Sequence, residues 1–94
     1  MPKYFKNKVC GYYLYYTSFC LVECMHAHAS DAKLTEAGSA KFFVKRDGST
    51  VVQKRGILND REIRIIQEFI KEHYIEMYEL WKTDSDKGFY EGDQ

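Results

Sequence analysis

Cys20, Cys24, His26 and His28, spaced Cys-x3-Cys-x-His-x-His, are the one cluster in this chain whose residue types and spacing could carry chemistry. Residues two apart on a strand project to the same face. On a strand, His26 and His28 would therefore present two imidazoles side by side, with Cys24 in line behind them. Such an array suits zinc or another borderline divalent metal, with a water completing the coordination. It equally suits paired acid and base work, because histidine titrates near neutral pH. No second Cys-x-x-Cys or His-x3-His pair follows to complete a metal-site pattern, and no resident cofactor is expected. The plainer reading makes His26 and His28 hydrogen-bonded or recognition residues at a sheet edge. A histidine-triad hydrolase needs a third alternating histidine, and Ser30 stands in that place. Of the remaining candidates, His73 reads as a satisfied core histidine and Cys10 as a small buried hydrophobe.

The elements that must position this cluster are read from periodicity. Asn59 to Trp81 is a helix. Asn59-Asp60-Arg61-Glu62 forms a capping box, and Asp60 and Glu62 put negative charge at the positive end of the helix dipole. Ile63, Ile66, Ile70, Tyr74, Met77 and Trp81 recur at helical spacing and form one apolar stripe. Phe69, His73 and Leu80 widen one flank and Tyr78 the other. Opposite lie Glu68, Glu72, Glu76 and Glu79, a solvated acidic ridge or a surface for a basic partner. Ile65 and Ile75 fall toward the polar side and could form a homodimer contact.

Before the helix the chain reads as short strands. Lys8 to Thr17 is rich in tyrosine, with both faces partly covered, and Gly11 suggests a bulge or a close backbone approach. Met25 to Ala29 is a second strand and Ala40 to Lys45 a third. Asp47-Gly48 is a hairpin signal, from which Thr50 to Gln53 returns as a fourth. Ser18 to Glu23 and Ser30 to Ser39 are connections. Ile57-Leu58 lead into the helix and can supply a hydrophobic staple. Phe89 and Tyr90 can dock within an otherwise polar, acidic tail. The expected architecture is α+β: a small antiparallel sheet of three to four strands covered on one face by a long C-terminal helix. It forms a single domain over residues 1–94, with strands in 1–58, the helix in 59–82 and the tail in 83–94.

Composition narrows the function classes. With 94 residues the core is small, and eight Tyr, six Phe and one Trp supply much of its apolar load. No apolar run approaches the roughly 20 residues of a membrane span, and no signal-peptide pattern opens the chain, so a cytosolic protein with free thiols is expected. Net charge is zero but divided: residues 1–56 carry nine Lys/Arg against four Asp/Glu, and residues 57–94 carry five against ten. Lys41, Lys45, Lys54 and Arg55 are the candidate phosphate contacts. Overall neutrality argues against a dedicated nucleic-acid binder, whose domain pI usually exceeds about 9.

Several of these features occur in a familiar order: His26-Ala27-His28, then Ala40-Lys41-Phe42-Phe43-Val44, then Gly56-Ile57, then Glu62, Ile66, Ile70 and Met77-x3-Trp81. Together they span about two thirds of the chain. In this the chain resembles the small bacterial proteins grouped as domain of unknown function 4160. Where that family has prolines just before its His-x-His segment, this chain has Glu23-Cys24-Met25. The resemblance implies a cytosolic bacterial protein, often encoded beside another small gene in a toxin–antitoxin-like arrangement, and it brings no established chemistry. On this reading the expected function is a non-enzymatic protein-interaction or regulatory module whose partner is a small protein encoded nearby. The partner would meet either the His26/His28 sheet edge or the acidic helix ridge. The alternative is a small nuclease-like hydrolase, or a metal-binding protein, that uses the His-x-His pair.

Overall fold

The computed structural model describes residues 3–17, 23–30 and 38–91. Four strands form one antiparallel meander: β1 (Tyr13–Tyr15), β2 (His26–Ser30), β3 (Ala40–Val44) and β4 (Thr50–Lys54), in that spatial order. A single helix, α1 (Asp60–Asp84), follows them. The α+β architecture read from the sequence is the one observed.

Register explains the two faces of the sheet. Leu14 pairs with Ala29, Ala29 with Ala40, and Ala27 with Phe42. These residues and Val44 are fully buried and join Ile63, Ile66, Ile70, Met77 and Trp81 of α1 in one core cluster. Small alanines on β2 leave room for the helix side chains above them. Burying each large aliphatic side chain stabilises the fold by about 1.5–3 kcal/mol relative to exposure. The alternate set, Tyr15, His28 and His26, lies on the other face and is also buried, so β1 is covered on both sides.

The helix begins as its sequence demands. Asn59 Oδ1 accepts from the Glu62 amide at 2.8 Å, and Glu62 Oε1 accepts from the Asn59 amide at 3.0 Å. Leu58 before the cap and Ile63 after it both enter the core, the arrangement of a hydrophobic staple, while Ile57 stays exposed. Tyr12 donates to Glu62 Oε1 at 3.2 Å and ties the first hairpin to this end of the helix. At the other end the Ser85 amide reaches the Trp81 carbonyl.

Two loops are decided by local chemistry. Gly11 marks neither a bulge nor a close approach. Cys10 (φ 53°) and Gly11 (φ 86°) are the two central residues of a tight turn, with amide–carbonyl bonds in both directions between Val9 and Tyr12. Positive φ at both positions is the signature of the hairpin turn whose twist suits antiparallel strands. It takes up the first part of the expected Lys8–Thr17 strand, so that β1 starts only at Tyr13 and is three residues long, and it leaves Cys10 half-buried. The Asp47-Gly48 hairpin forms as expected. Gly48 has φ 88°, its amide donates to the Lys45 carbonyl, and Asp47 Oδ1 accepts from Ser49.

The tail docks, and more firmly than its polar composition suggests. Met25 N donates to the Gly88 carbonyl and Tyr90 N donates to the Val44 carbonyl, so Gly88–Tyr90 lies across the ends of β2 and β3. Phe89 stacks on Tyr78 (4.3 Å between centroids) and Tyr90 on Phe43 (4.4 Å). Trp81 Nε1 donates to the Lys87 carbonyl at 2.9 Å, and Arg46 pairs with Glu91.

Candidate functional site

His26 and His28 are set side by side by strand alternation, with ring centroids 5.2 Å apart in an edge-to-face arrangement. They do not stand at a sheet edge. β2 is an interior strand, paired with β1 on one side and β3 on the other. Nor do they face solvent: His26 is 0% and His28 4% exposed. Phe43 and Trp81 pack against His26 at 5.5 and 5.6 Å, and Tyr15 lies 5.4 Å from His28.

The hydrogen bonds fix a protonation pattern. His26 Nδ1 lies 2.8 Å from the Cys24 carbonyl, which can only accept, so Nδ1 carries the hydrogen and Nε2 the lone pair. That Nε2 is buried and has no hydrogen-bond partner among the described residues. His28 engages the Ala40 backbone. Burial pushes both imidazoles down to about 4, because a charged ring would lose its hydration; the nearby Lys41 ammonium adds to the effect on both, and His28 adds to it on His26. Both are therefore neutral at pH 7. In this arrangement they are weak bases without access to solvent.

Beside them, Lys41 donates to Glu23 Oε1 at 2.6 Å. This bond holds the Glu23 carboxyl below its ordinary range. Cys24 is a half-buried free thiol, and Cys20 lies outside the described residues. Among the described residues no group of three or more His, Cys, Asp or Glu side chains is placed to hold a metal ion.

The structure distributes the candidate phosphate contacts. Lys41 and Lys54 are cross-strand partners, but the Lys41 side chain is only 13% exposed and is committed to Glu23. Lys45 sits at the opposite end of β3, where its amide closes the hairpin. Arg55 pairs with Asp60 at the helix entrance. These four residues serve several local structures and do not form one continuous patch.

On α1, Glu68, Glu72, Glu76 and Glu79 are all exposed, as expected. Glu76 accepts from His73 Nδ1 at 2.7 Å and Glu79 pairs with Lys82 at 3.4 Å, so basic residues interrupt the ridge. Ile75 is 61% exposed among them, whereas Ile65 is half-buried. His73 is half-buried rather than core, with its ring on Phe69 and Phe5.

Two features escaped the sequence reading. Tyr16, fully buried, donates to Asp84 Oδ2 at 2.5 Å, which links β1's end to the last turn of α1 across 68 positions. Burial and this carboxylate raise the Tyr16 phenol above its ordinary value. The second feature is a groove of about 220 Å³ between the β3–β4 hairpin and α1, lined by Ser49, Thr50, Arg64, Gln67, Glu68 and Lys71. Its helix wall has the 64, 67, 68, 71 spacing of one helical face, a signal present in the sequence. No helix among the described residues is long and apolar enough to cross a membrane. No family model, curated protein or solved structure matches this chain.

Proposed function

We propose that this protein is a non-enzymatic interaction module, one half of a toxin–antitoxin-type gene pair in the bacterial cytosol, of the kind implied by its resemblance to domain of unknown function 4160. The observation that carries this reading is the burial of His26 and His28, the histidine pair of the cluster. His26 and His28 are neutral and packed under aromatic rings, so they serve the fold first. What the described surface offers instead is charge and scattered apolar groups: the Glu68–Glu79 ridge, Ile75, and the groove beside β4. These are recognition features. The free thiols of Cys10 and Cys24 fit a reducing compartment.

Native mass spectrometry of the protein gently purified from its own cells tests the proposal. The expected result is a metal-free complex with a second small protein. A bare chain would remove the interaction reading. A stoichiometric metal that disappears in His26→Ala would replace it with the metal-dependent hydrolase reading, in which the His26 Nε2 lone pair is the ligand.

A further inference from the structure

Among the described residues β4 pairs with β3 alone, which makes it the terminal strand of the sheet. A terminal strand presents backbone N–H and C=O groups to an incoming chain unless something blocks them. On β4 the two ends differ. The register shift opposite Lys41/Phe42 and the charge of Lys54 interrupt the far end. Thr50, Val51 and Val52, half-buried and uncharged, keep regular pairing with Val44, Phe43 and Phe42. Thr50, at the start of this regular stretch, lines the groove against α1.

The groove has its own specificity. Thr50 Oγ1, on its strand wall, is buried and has no hydrogen-bond partner among the described residues. Arg64 and Lys71 line the helix wall, both exposed, and Lys71 Nζ rests 3.4 Å from the Asp47 carbonyl. Glu68 is the one carboxylate in the lining. Two cations against one anion favour a ligand carrying negative charge, with Glu68 left to accept from one of its N–H groups.

Building on the interaction reading, we infer that the Thr50–Val52 edge and the groove beside it accept an extended acidic segment of the partner protein, added to the sheet as a further strand. Main-chain hydrogen bonds along β4 supply the affinity. Carboxylates on alternate residues of the segment reach Arg64 and Lys71 and supply the selection. Glu72, Glu76 and Glu79 of α1, outside the groove lining, would repel such a segment and keep it to the groove.

The test is to pan a random heptapeptide display library against the whole chain, then titrate the winning peptides while following backbone amides by NMR. The expected winners alternate apolar and acidic residues, shift the amides of Thr50–Val52, and lose about tenfold in affinity on Arg64→Glu, Lys71→Glu. Both positions are exposed on α1, so the variant keeps its fold, which its amide spectrum verifies. Lack of enrichment, winners without acidic residues, shifts confined to another surface, or equal affinity for the variant would each overturn the inference. The outcome is separable from that of the function proposed above. A partner that co-purifies equally well with the Arg64→Glu, Lys71→Glu variant refutes the groove and leaves the interaction module standing. The absence of any partner refutes the module, and the peptide titration still reads the groove.

Discussion

Acidification should destabilise this protein well before its carboxylates protonate. His26 and His28 are held neutral, at about 4 against an ordinary 6.5, chiefly because burial strips the charged ring of its water. An unfolded chain regains ordinary histidines and binds more protons than the native state whenever the pH lies between those values. The contribution is thus fully present above about pH 6.5 and is lost as pH falls toward 4. Applying the linkage relation between pH 7.5 and pH 5 gives a loss of about 2 kcal/mol per histidine, or about 4 kcal/mol for the pair. A domain of this size holds only about 5–15 kcal/mol in total, so the melting temperature should fall by about 15 °C or more. Glu23 and Asp47 also have lowered values, but both lose their contribution below about pH 4.5, outside this window.

Urea unfolding at several pH values across this window measures the slope directly, and a histidine ring titration by NMR reads the native values without any substitution. His26→Gln, His28→Gln should flatten the slope between pH 5 and 6.5, whatever its absolute stability. If the double variant keeps the wild-type slope, or if the native rings titrate near 6.5, the buried neutral pair is wrong. The assignment of structural rather than chemical roles to these residues would fall with it.

Other perturbations follow from single contacts. Asn59→Ala removes the helix cap and should cost about 1 kcal/mol, read as a lower urea midpoint at unchanged slope. Gly48→Ala places a methyl at φ 88° and about 2.5 Å from the Tyr74 ring, and should cost at least about 1–2 kcal/mol in the same assay. Tyr16→Phe leaves Asp84 without its 2.5 Å donor and should cost about 1–2 kcal/mol, with hydrogen exchange speeding up first in the last turn of α1. Ending the chain after Asp86 removes the rings stacked on Phe43 and Tyr78. It should loosen Trp81 and raise the His26 titration toward its ordinary value, visible as Trp fluorescence and a shifted ring resonance.

Much of the framework was legible because it is local. The capping box, the stripe from Ile63 to Trp81 and the Asp47-Gly48 hairpin each depend on residues within one turn or one helix period, and each appears as its spacing demands. The first strand departs from its sequence pattern for a local reason too. Cys10 is not a residue that advertises positive φ, so the turn it shares with Gly11 was hidden inside a β-rich run. What could not be read is what depends on pairing across the chain. Nothing within Met25 to Ser30 reveals that β2 is flanked on both sides, and that fact moves His26 and His28 from an edge into the interior. The tail is the same case: Phe89 and Tyr90 were visible as apolar residues, but the bonds from Gly88 to Met25 and from Tyr90 to Val44 exist only in the fold.

That placement changes what the histidine pair is for. A buried, neutral imidazole whose Nδ1 donates to the Cys24 carbonyl fixes the bend that enters β2, while its ring fills space between Phe43 and Trp81. Phenylalanine could fill the space but could not make the bond, and asparagine could make a bond but could not fill the space. Histidine does both at the cost of an Nε2 that has no partner among the described residues, which is tolerable only while the ring stays uncharged. Packing and backbone hydrogen bonds to Cys24 and Ala40 hold the two rings in place. The recognition chemistry proposed for the sheet lies two strands over, at the Thr50–Val52 edge and the groove where Arg64 and Lys71 meet Thr50.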